Sequence, residues 1–151
     1  MNEITPLTAA AEPEKLKRRV LVIDDHPLMR RSMIEALERE PDFTVCGQAG
    51  DAAEGLAASA SLHPDLVLTD LQLKASSGLD LIRQLQAQSP SLPVVATTMF
   101  DLRRNERLAR AAGAAGFASK QDGPDQLIAT LRTVLKTGRP GPHRPGGKQN
   151  E

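Results

Sequence analysis

Short apolar runs alternate with segments of helical periodicity along most of this chain. The first run, residues 20–23, is uniformly aliphatic, which is typical of a strand that is buried on both faces. Four further short runs predict four more strands, at residues 44–46, 66–68, 94–96 and 116–118. The segments between the runs repeat apolar residues at three- and four-residue spacing, which predicts helices. The alternation therefore predicts a series of strand–helix units.

The helix boundaries agree with this alternation. Pro27 and Pro124 suit the first turns of the first and last helices, and Gly113 and Gly138 suit helix ends. The second helix, predicted at residues 52–60, is alanine-rich and weakly patterned. Repeated strand–helix units predict a parallel sheet that helices cover on both faces, and right-handed crossovers favour the strand order 2-1-3-4-5. The predicted fold class is α/β: a flavodoxin-like, doubly wound, five-stranded parallel sheet.

Composition divides the 151-residue chain into one domain and two tails. Residues 1–17 have few large apolar side chains and predict a flexible tail, while residues 18–138 form the predicted domain. Residues 139–151 are rich in Pro and Gly, which is typical of a linker or tail. No apolar run reaches membrane-spanning length, and the N-terminus lacks a signal-peptide pattern. Together with a single cysteine, Cys46, these observations predict a cytoplasmic chain without a membrane partner.

The charge balance limits the classes of partner. The chain has 19 Lys and Arg residues and 19 Asp and Glu residues, and it has no Trp or Tyr. A nucleic-acid-binding chain usually has a basic excess and aromatic side chains on which bases stack. We therefore expect that this segment does not itself contact DNA.

Charged and polar residues collect at the predicted carboxyl ends of four strands. They are Asp24 and Asp25 after strand 1, Asp70 on strand 3, Thr98 on strand 4 and Lys120 after strand 5. In the predicted strand order these ends meet at one edge of the sheet, where ligands bind in such folds. Three crowded carboxylates repel one another unless a cation is present, and Mg²⁺ prefers oxygen ligands. The sequence therefore predicts an acidic Mg²⁺ pocket that also contains a hydroxyl and an ammonium group.

Asp70 is the predicted nucleophile of this pocket, because it lies between the acids of strand 1 and the hydroxyl of Thr98. A carboxylate can attack phosphorus to give an aspartyl phosphate, and phosphoryl transfer mainly requires neutralisation of charge. A metal ion and Lys120 would supply positive charge, and Thr98 could donate to a phosphoryl oxygen. The alternative for each acid taken alone is a helix cap or turn residue, as Asp25 or His26 could be ahead of the first helix.

Four segments of the chain resemble the receiver domain of two-component response regulators: VLVIDDHPLMRRSM, DLVLTDLQLKASSGLDLIRQL, PVVATTMFD and GAAGFASK. The resemblance extends from about residue 19 to residue 138. It implies that Asp70 accepts a phosphoryl group from a sensor histidine kinase, and that the chain catalyses only its own phosphorylation and dephosphorylation. The DDHPLMR opening is similar to LuxR-type regulators, which implies regulation of transcription through a helix-turn-helix DNA-binding domain outside this chain.

The resemblance also implies a set of metal ligands. Asp25, Asp70 and the backbone carbonyl of Gln72 would bind Mg²⁺ directly, and Asp24 would act largely through water. Mn²⁺ could replace Mg²⁺ at such a site.

Further roles are implied for the phosphoryl-binding and switch residues. Lys120 would contact the phosphoryl group, and Thr98 would move toward it on activation. Phe117 would follow Thr98 inward as an aromatic switch residue; it is equally an ordinary core aromatic, and the two roles are compatible. The chain departs from the family pattern at Lys74, where proline is common, and at Phe100, where a polar residue is common.

The fourth predicted helix contains four arginines, Arg103, Arg104, Arg107 and Arg110. They are a solvated basic face, or they pair with acids on a second copy or an output partner. The resemblance favours helix 4, strand 5 and helix 5 as the surface of a homodimer.

Three alternatives to transcriptional output differ in the sequence features that they require. A stand-alone receiver would shuttle or drain phosphate, or bind a protein target. A phosphatase of the haloacid-dehalogenase type would place its nucleophile in a D-x-D motif after strand 1, where this chain has Asp24-Asp25-His26. A flavin-binding domain is disfavoured because the first turn lacks a phosphate-binding loop.

Overall fold

The computed structural model describes residues 17–74 and 76–137 of the chain. Within them, strands and helices alternate in the order β1 (Arg18–Ile23), α1 (Pro27–Glu38), β2 (Phe43–Ala49), α2 (Ala52–Leu62), β3 (Leu66–Asp70), α3 (Gly78–Gln88), β4 (Val94–Thr98), α4 (Leu102–Ala112), β5 (Gly116–Ser119) and α5 (Gly123–Thr137). A 3₁₀ turn (Lys120–Asp122) joins β5 to α5. The predicted tails, apart from Lys17, lie outside the described residues. Gly138, the predicted end of the last helix, also lies outside them.

The five strands form one parallel sheet in the order 2-1-3-4-5, which confirms the predicted fold class. Strand β2 is longer than the three residues predicted for it. It pairs with β1 from Phe43 to Ala49 except at Cys46, where the register shifts between Val20 and Leu21. The pairing extends β2 over small and polar residues, and hydrophobic periodicity alone does not predict that such residues belong to a strand.

Helices cover both faces of the sheet. Leu21 and Ile23 of β1 belong to the core on one face together with side chains of α2, α3 and α4, while Val20 and Val22 belong to the core on the other face with side chains of α1 and α5. These four side chains are fully buried. Burial of each contributes roughly 1.5–3 kcal/mol, which explains why this strand is uniformly apolar. No helix among the described residues is long and apolar enough to cross a membrane.

Helix α2 is present despite its weak pattern, because it packs through small residues. Its buried positions are Gly55 and Ser59. A Cβ atom at Gly55 would lie 2.5 Å from Cδ1 of Ile23, so the helix backbone approaches β1 closely. Asp51 caps the helix by accepting the backbone N–H of Glu54. The helix therefore depends on close approach and capping rather than on large apolar side chains.

Gly78, the first residue of α3, lies against the backbone at the end of β3. A Cβ atom there would lie 2.6 Å from the carbonyl oxygen of Asp70 and 2.6 Å from Cα of Leu71. Because these are backbone atoms, we expect Gly78→Ala to lower the free energy of unfolding by about 1–3 kcal/mol. This cost exceeds the roughly 0.5–1 kcal/mol that alanine gains over glycine within a helix. Urea denaturation measures the difference.

The matched control is Gly50→Ala. A Cβ atom at Gly50 would meet nothing closer than 3.5 Å, from Nη1 of Arg30, so this variant should lose little stability. Equal stability of the two variants would contradict this prediction, because it would show that the backbone at the end of β3 can shift to accommodate the added methyl group.

Candidate functional site

Three of the predicted residues meet in a buried ion-pair cluster at the carboxyl edge of the sheet. Asp24 follows β1 and is 0% exposed, and Asp70 ends β3 and is 2% exposed. The Nζ atom of Lys120, directly after β5, lies 2.7 Å from Oδ2 of Asp24 and 3.0 Å from Oδ2 of Asp70. One ammonium group thus neutralises part of the charge of two buried carboxylates.

Asp25 lies beside this cluster and connects two loops. Its Oδ2 accepts the backbone N–H of Lys74 at 2.7 Å, which joins the loop after β1 to the loop after β3. Its Oδ1 is buried and has no hydrogen-bond partner among the described residues. A buried carboxylate oxygen without a partner is costly, and a bound cation would satisfy it. Asp25 therefore has the free ligand atom that a metal site requires.

The alternative interpretation of Asp25 and His26 as helix caps does not describe their side chains. His26 occupies the N-cap position of α1, but its side chain makes no capping hydrogen bond. Its backbone N–H instead donates to Oδ1 of Asp24 at 2.8 Å.

The environment of Asp70 makes its ionised form less favourable than it would be in water. Burial raises the pKa of the Asp70 carboxyl above its usual value, and the charge of Asp24 acts in the same direction. The backbone N–H of Gln72, which donates to Oδ1 at 3.0 Å, and the ammonium of Lys120 oppose this shift. A cation in the pocket would further stabilise the ionised carboxylate, which is the nucleophilic form.

The acidic side chains fit a divalent cation. Asp24, Asp25, His26 and Asp70 each offer one ligand atom, and these atoms all lie within 4.8 Å of one another. Carboxylate oxygens are the ligands that Mg²⁺ and Ca²⁺ prefer. That the backbone carbonyl of Gln72 is a further metal ligand stays a prediction. His26 is not among the ligands predicted from the sequence, although it lies directly after two acids at a strand end.

Thr98 ends β4, but its hydroxyl is bonded away from the carboxylates. It donates to Oε1 of Gln72 at 2.6 Å and accepts the backbone N–H of Phe100 at 3.2 Å. Nδ2 of Asn105, on α4, lies 3.3 Å from the same hydroxyl oxygen and 2.7 Å from the carbonyl oxygen of Phe100. Movement of Thr98 toward Asp70 would therefore break a hydrogen bond with the loop after β3 and loosen contacts with α4.

The side chains of Gln72 and Asn105 were not anticipated from the sequence. Each is an isolated polar residue outside the apolar pattern, so nothing in the sequence distinguishes it from a solvated side chain. Phe117 on β5 is half-buried and packs against the core on the α3–α4 face, as the ordinary core interpretation requires.

The arginines of α4 are exposed, and so is Phe100 ahead of this helix. Arg110 pairs with Glu106 within the helix, with 3.0 Å between Nε and Oε2. No other ion pair involves the α4 arginines among the described residues. The basic face is thus largely available for a partner.

Comparison with known proteins finds the same family along most of the chain. The family model for the response regulator receiver domain matches residues 20–132. The chain is 33% identical to the nitrate/nitrite response regulator protein NarP of Escherichia coli, over 82% of this chain and 58% of that protein. It spans between 52% and 58% of the length of the curated relatives that it matches first.

Solved structures agree with this result. A LuxR-family two-component response regulator from Aurantimonas sp. SI85-9A1 superposes with a TM-score of 0.77 at 28% identity, covering 82% of this chain and 88% of that chain. The signal receiver domain of the response regulator NarL from Mycobacterium tuberculosis gives a TM-score of 0.72 at 28% identity, covering 81% of this chain and 96% of that chain. The LuxR-type resemblance is thereby confirmed. The fold, the acidic cluster at the edge of the sheet and the family match together show that the chain belongs to the response regulator receiver domain family.

Proposed function

We propose that this domain is a phosphorylation switch in which Asp70 accepts a phosphoryl group from a sensor histidine kinase. One observation carries the proposal: the buried carboxylate of Asp70 lies 3.0 Å from the Lys120 ammonium, beside a buried oxygen of Asp25 that has no hydrogen-bond partner among the described residues. This arrangement combines a nucleophile, a fixed positive charge and a free metal ligand. Phosphoryl transfer to a carboxylate requires these three components.

Receiver domains bind a divalent metal at an acidic pocket, and the acidic cluster of this chain fits that description. We propose Mg²⁺ as the ion, with Mn²⁺ as a substitute. Asp25, Asp70 and the carbonyl of Gln72 would hold it, and Asp24 would act largely through water. When bound, the ion supplies positive charge against the phosphoryl oxygens.

The residues of the chain would perform the remaining steps. An oxygen of Asp70 attacks phosphorus as the bond to the donor breaks, and Lys120 shifts part of its charge from Asp70 to a phosphoryl oxygen. The Thr98 hydroxyl then donates its hydrogen bond to a phosphoryl oxygen instead of to Gln72. The side chain of Phe117 moves inward after Thr98 as the switch aromatic. The chain would turn over only its own phosphoryl group, and it would act on no other substrate.

The output of the switch is proposed to lie outside this chain. The matched relatives are longer response regulators, and they include transcriptional regulators by name. We propose that phosphorylation controls transcription through a DNA-binding domain, and that exposed α4 arginines contribute to a homodimer formed by α4, β5 and α5. A single half-buried thiol, Cys46, suits a cytoplasmic setting.

Intact-mass measurement after incubation with acetyl phosphate tests the proposal directly. We expect the mass of one phosphoryl group to be gained in the presence of Mg²⁺ and not in the presence of excess chelator. The gain should disappear after treatment with hydroxylamine, which cleaves acyl phosphates. A folded wild-type chain that never gains this mass from acetyl phosphate or a phosphorylated kinase would refute the proposed function.

A further inference from the structure

The imidazole ring of His26 faces the same pocket as the carboxylates. Its Nδ1 lies 3.0 Å from Oδ1 of Asp25, 3.3 Å from Oδ1 of Asp24 and 4.0 Å from Oδ2 of Asp70. The His26 side chain is 58% exposed, so the ring contacts solvent as well as the pocket. The ring therefore forms one wall of the metal pocket.

The shortest of these contacts is not a hydrogen bond. Oδ1 of Asp25 has no hydrogen-bond partner among the described residues, although Nδ1 of His26 lies 3.0 Å from it, and the Asp25 side chain is only 7% exposed. Two ligands at right angles, each about 2.1 Å from one ion, are separated by roughly 3 Å. The spacing of the two atoms thus matches neighbouring ligands of a single metal ion.

Among the described residues, the one hydrogen-bond acceptor of the ring nitrogen, Oδ1 of Asp24, is poorly placed. The separation of 3.3 Å between Nδ1 and Oδ1 of Asp24 is long for a hydrogen bond, and this oxygen already accepts the backbone N–H of His26 at 2.8 Å. Pro27 follows in the first turn of α1 and restricts the backbone beside the ring. Within the described part of the chain, the ring thus lies at the pocket without a strong hydrogen-bond partner.

We propose that Nδ1 of His26 is an additional ligand of the divalent ion, and that it raises the preference of this pocket for nitrogen-binding metals over Mg²⁺. The inference rests on the metal site of the proposed function. Imidazole is a favourable ligand for Ni²⁺ and Zn²⁺, whereas Mg²⁺ is held mainly by carboxylates and water. Loss of the ring should therefore weaken Ni²⁺ binding far more than Mg²⁺ binding.

Calorimetric titration of the full chain with Ni²⁺ and, separately, with Mg²⁺ tests this inference. For His26→Gln we expect the Ni²⁺ affinity at the acidic pocket to fall tenfold or more, because loss of even an outer-shell partner costs about 10–100-fold. The Mg²⁺ affinity should change by less than about threefold, since oxygen ligands and water remain. Circular dichroism verifies that the variant is folded.

His63→Asn is the matched control. His63 ends α2 with a positive φ of 52°, a conformation that asparagine tolerates, and it belongs to no metal-ligand cluster among the described residues. This variant should leave both affinities at the pocket unchanged. In a second measurement, diamagnetic Zn²⁺ should shift the ring ¹⁵N resonances of His26 and leave those of His63 in place.

Two results would overturn the inference, and they differ in their meaning for the proposed function. If the wild type binds Mg²⁺ and His26→Gln leaves the ratio of Ni²⁺ to Mg²⁺ affinity unchanged, the ring is not a ligand, and the phosphorylation proposal stands. If the wild type binds neither ion at the pocket, both the inference and the metal-dependent proposal fail.

Discussion

Asp70→Asn is expected to abolish the phosphoryl adduct completely and, without metal, to make the domain more stable than the wild type. The first effect follows because an amide oxygen is not a nucleophile toward phosphorus under these conditions, whereas a carboxylate is. Intact-mass measurement after incubation with acetyl phosphate and Mg²⁺ should show no gain for the variant.

The second effect follows from the buried position of Asp70. Burial raises the pKa of this carboxyl in the folded state, so its contribution to stability is full below the unfolded pKa and is lost as pH rises through the folded pKa. At neutral pH the wild type therefore holds a charge that the fold disfavours. Replacement by a neutral amide should therefore raise the free energy of unfolding without metal, because one buried charge is removed while Lys120 keeps its ion pair with Asp24.

Metal should reverse this order of stability. An ion that binds only the folded state stabilises it by about 2.7 kcal/mol at a hundredfold excess over its dissociation constant. The wild type gains this stabilisation, whereas Asp70→Asn has lost one carboxylate ligand. Urea denaturation with and without Mg²⁺ measures both free energies, and the advantage of the variant without metal should shrink at acidic pH.

Asp125→Asn is the control for these measurements. Asp125 is an exposed acid in the first turn of α5 and makes no ion pair among the described residues. This variant should form the adduct normally and lose a few tenths of a kcal/mol at most. An adduct that persists on Asp70→Asn would contradict the assignment of the acceptor.

The proximity of the site residues could be predicted from the sequence, because it depends only on the order of the strands in the sheet. Once residues 20–23 and 66–68 are assigned to buried parallel strands, the chain order of the strands brings their carboxyl ends together. Asp24, Asp70 and Lys120 occupy these ends, so their proximity required no side-chain information. The strand order that supports this step is observed in the sheet.

Other features depend on contacts that no local pattern encodes. Oδ2 of Asp25 accepts the backbone N–H of Lys74, 49 residues away, while Oδ1 has no hydrogen-bond partner among the described residues. The hydroxyl of Thr98 is held by Gln72 and Asn105, which come from two different segments. Each of these contacts requires the positions of loop atoms, and hydrophobic periodicity carries no information about them.

Helix α2 shows a second reason why a structural element is hard to predict from the sequence. Its contact with β1 uses Gly55 because a Cβ atom there would overlap the side chain of Ile23. A helix that packs through small residues shows little hydrophobic periodicity, so its location was predicted only from the alternation of the neighbouring elements.

Lys120→Ala is expected to cause the largest loss of stability among these substitutions. The Lys120 side chain is 4% exposed and pairs with two carboxylates that are almost fully buried. Removal of the ammonium leaves both acids without their cation, and such a change costs about 3–5 kcal/mol. Urea denaturation without metal should show this loss, whereas Lys136→Ala, at an exposed position near the end of α5, should change little.

The same variant should also slow phosphorylation, and a double variant distinguishes the two roles of Lys120. Removal of one group that stabilises transition-state charge typically costs about 10²–10³-fold in rate. In Lys120→Ala combined with Asp24→Asn, one unpaired charge is removed, so part of the lost stability should return. The rate of adduct formation from acetyl phosphate should stay low, because Asp70 still lacks the ammonium near its phosphoryl group. Recovery of the rate together with the stability would mean that Lys120 serves only to neutralise the resting pocket.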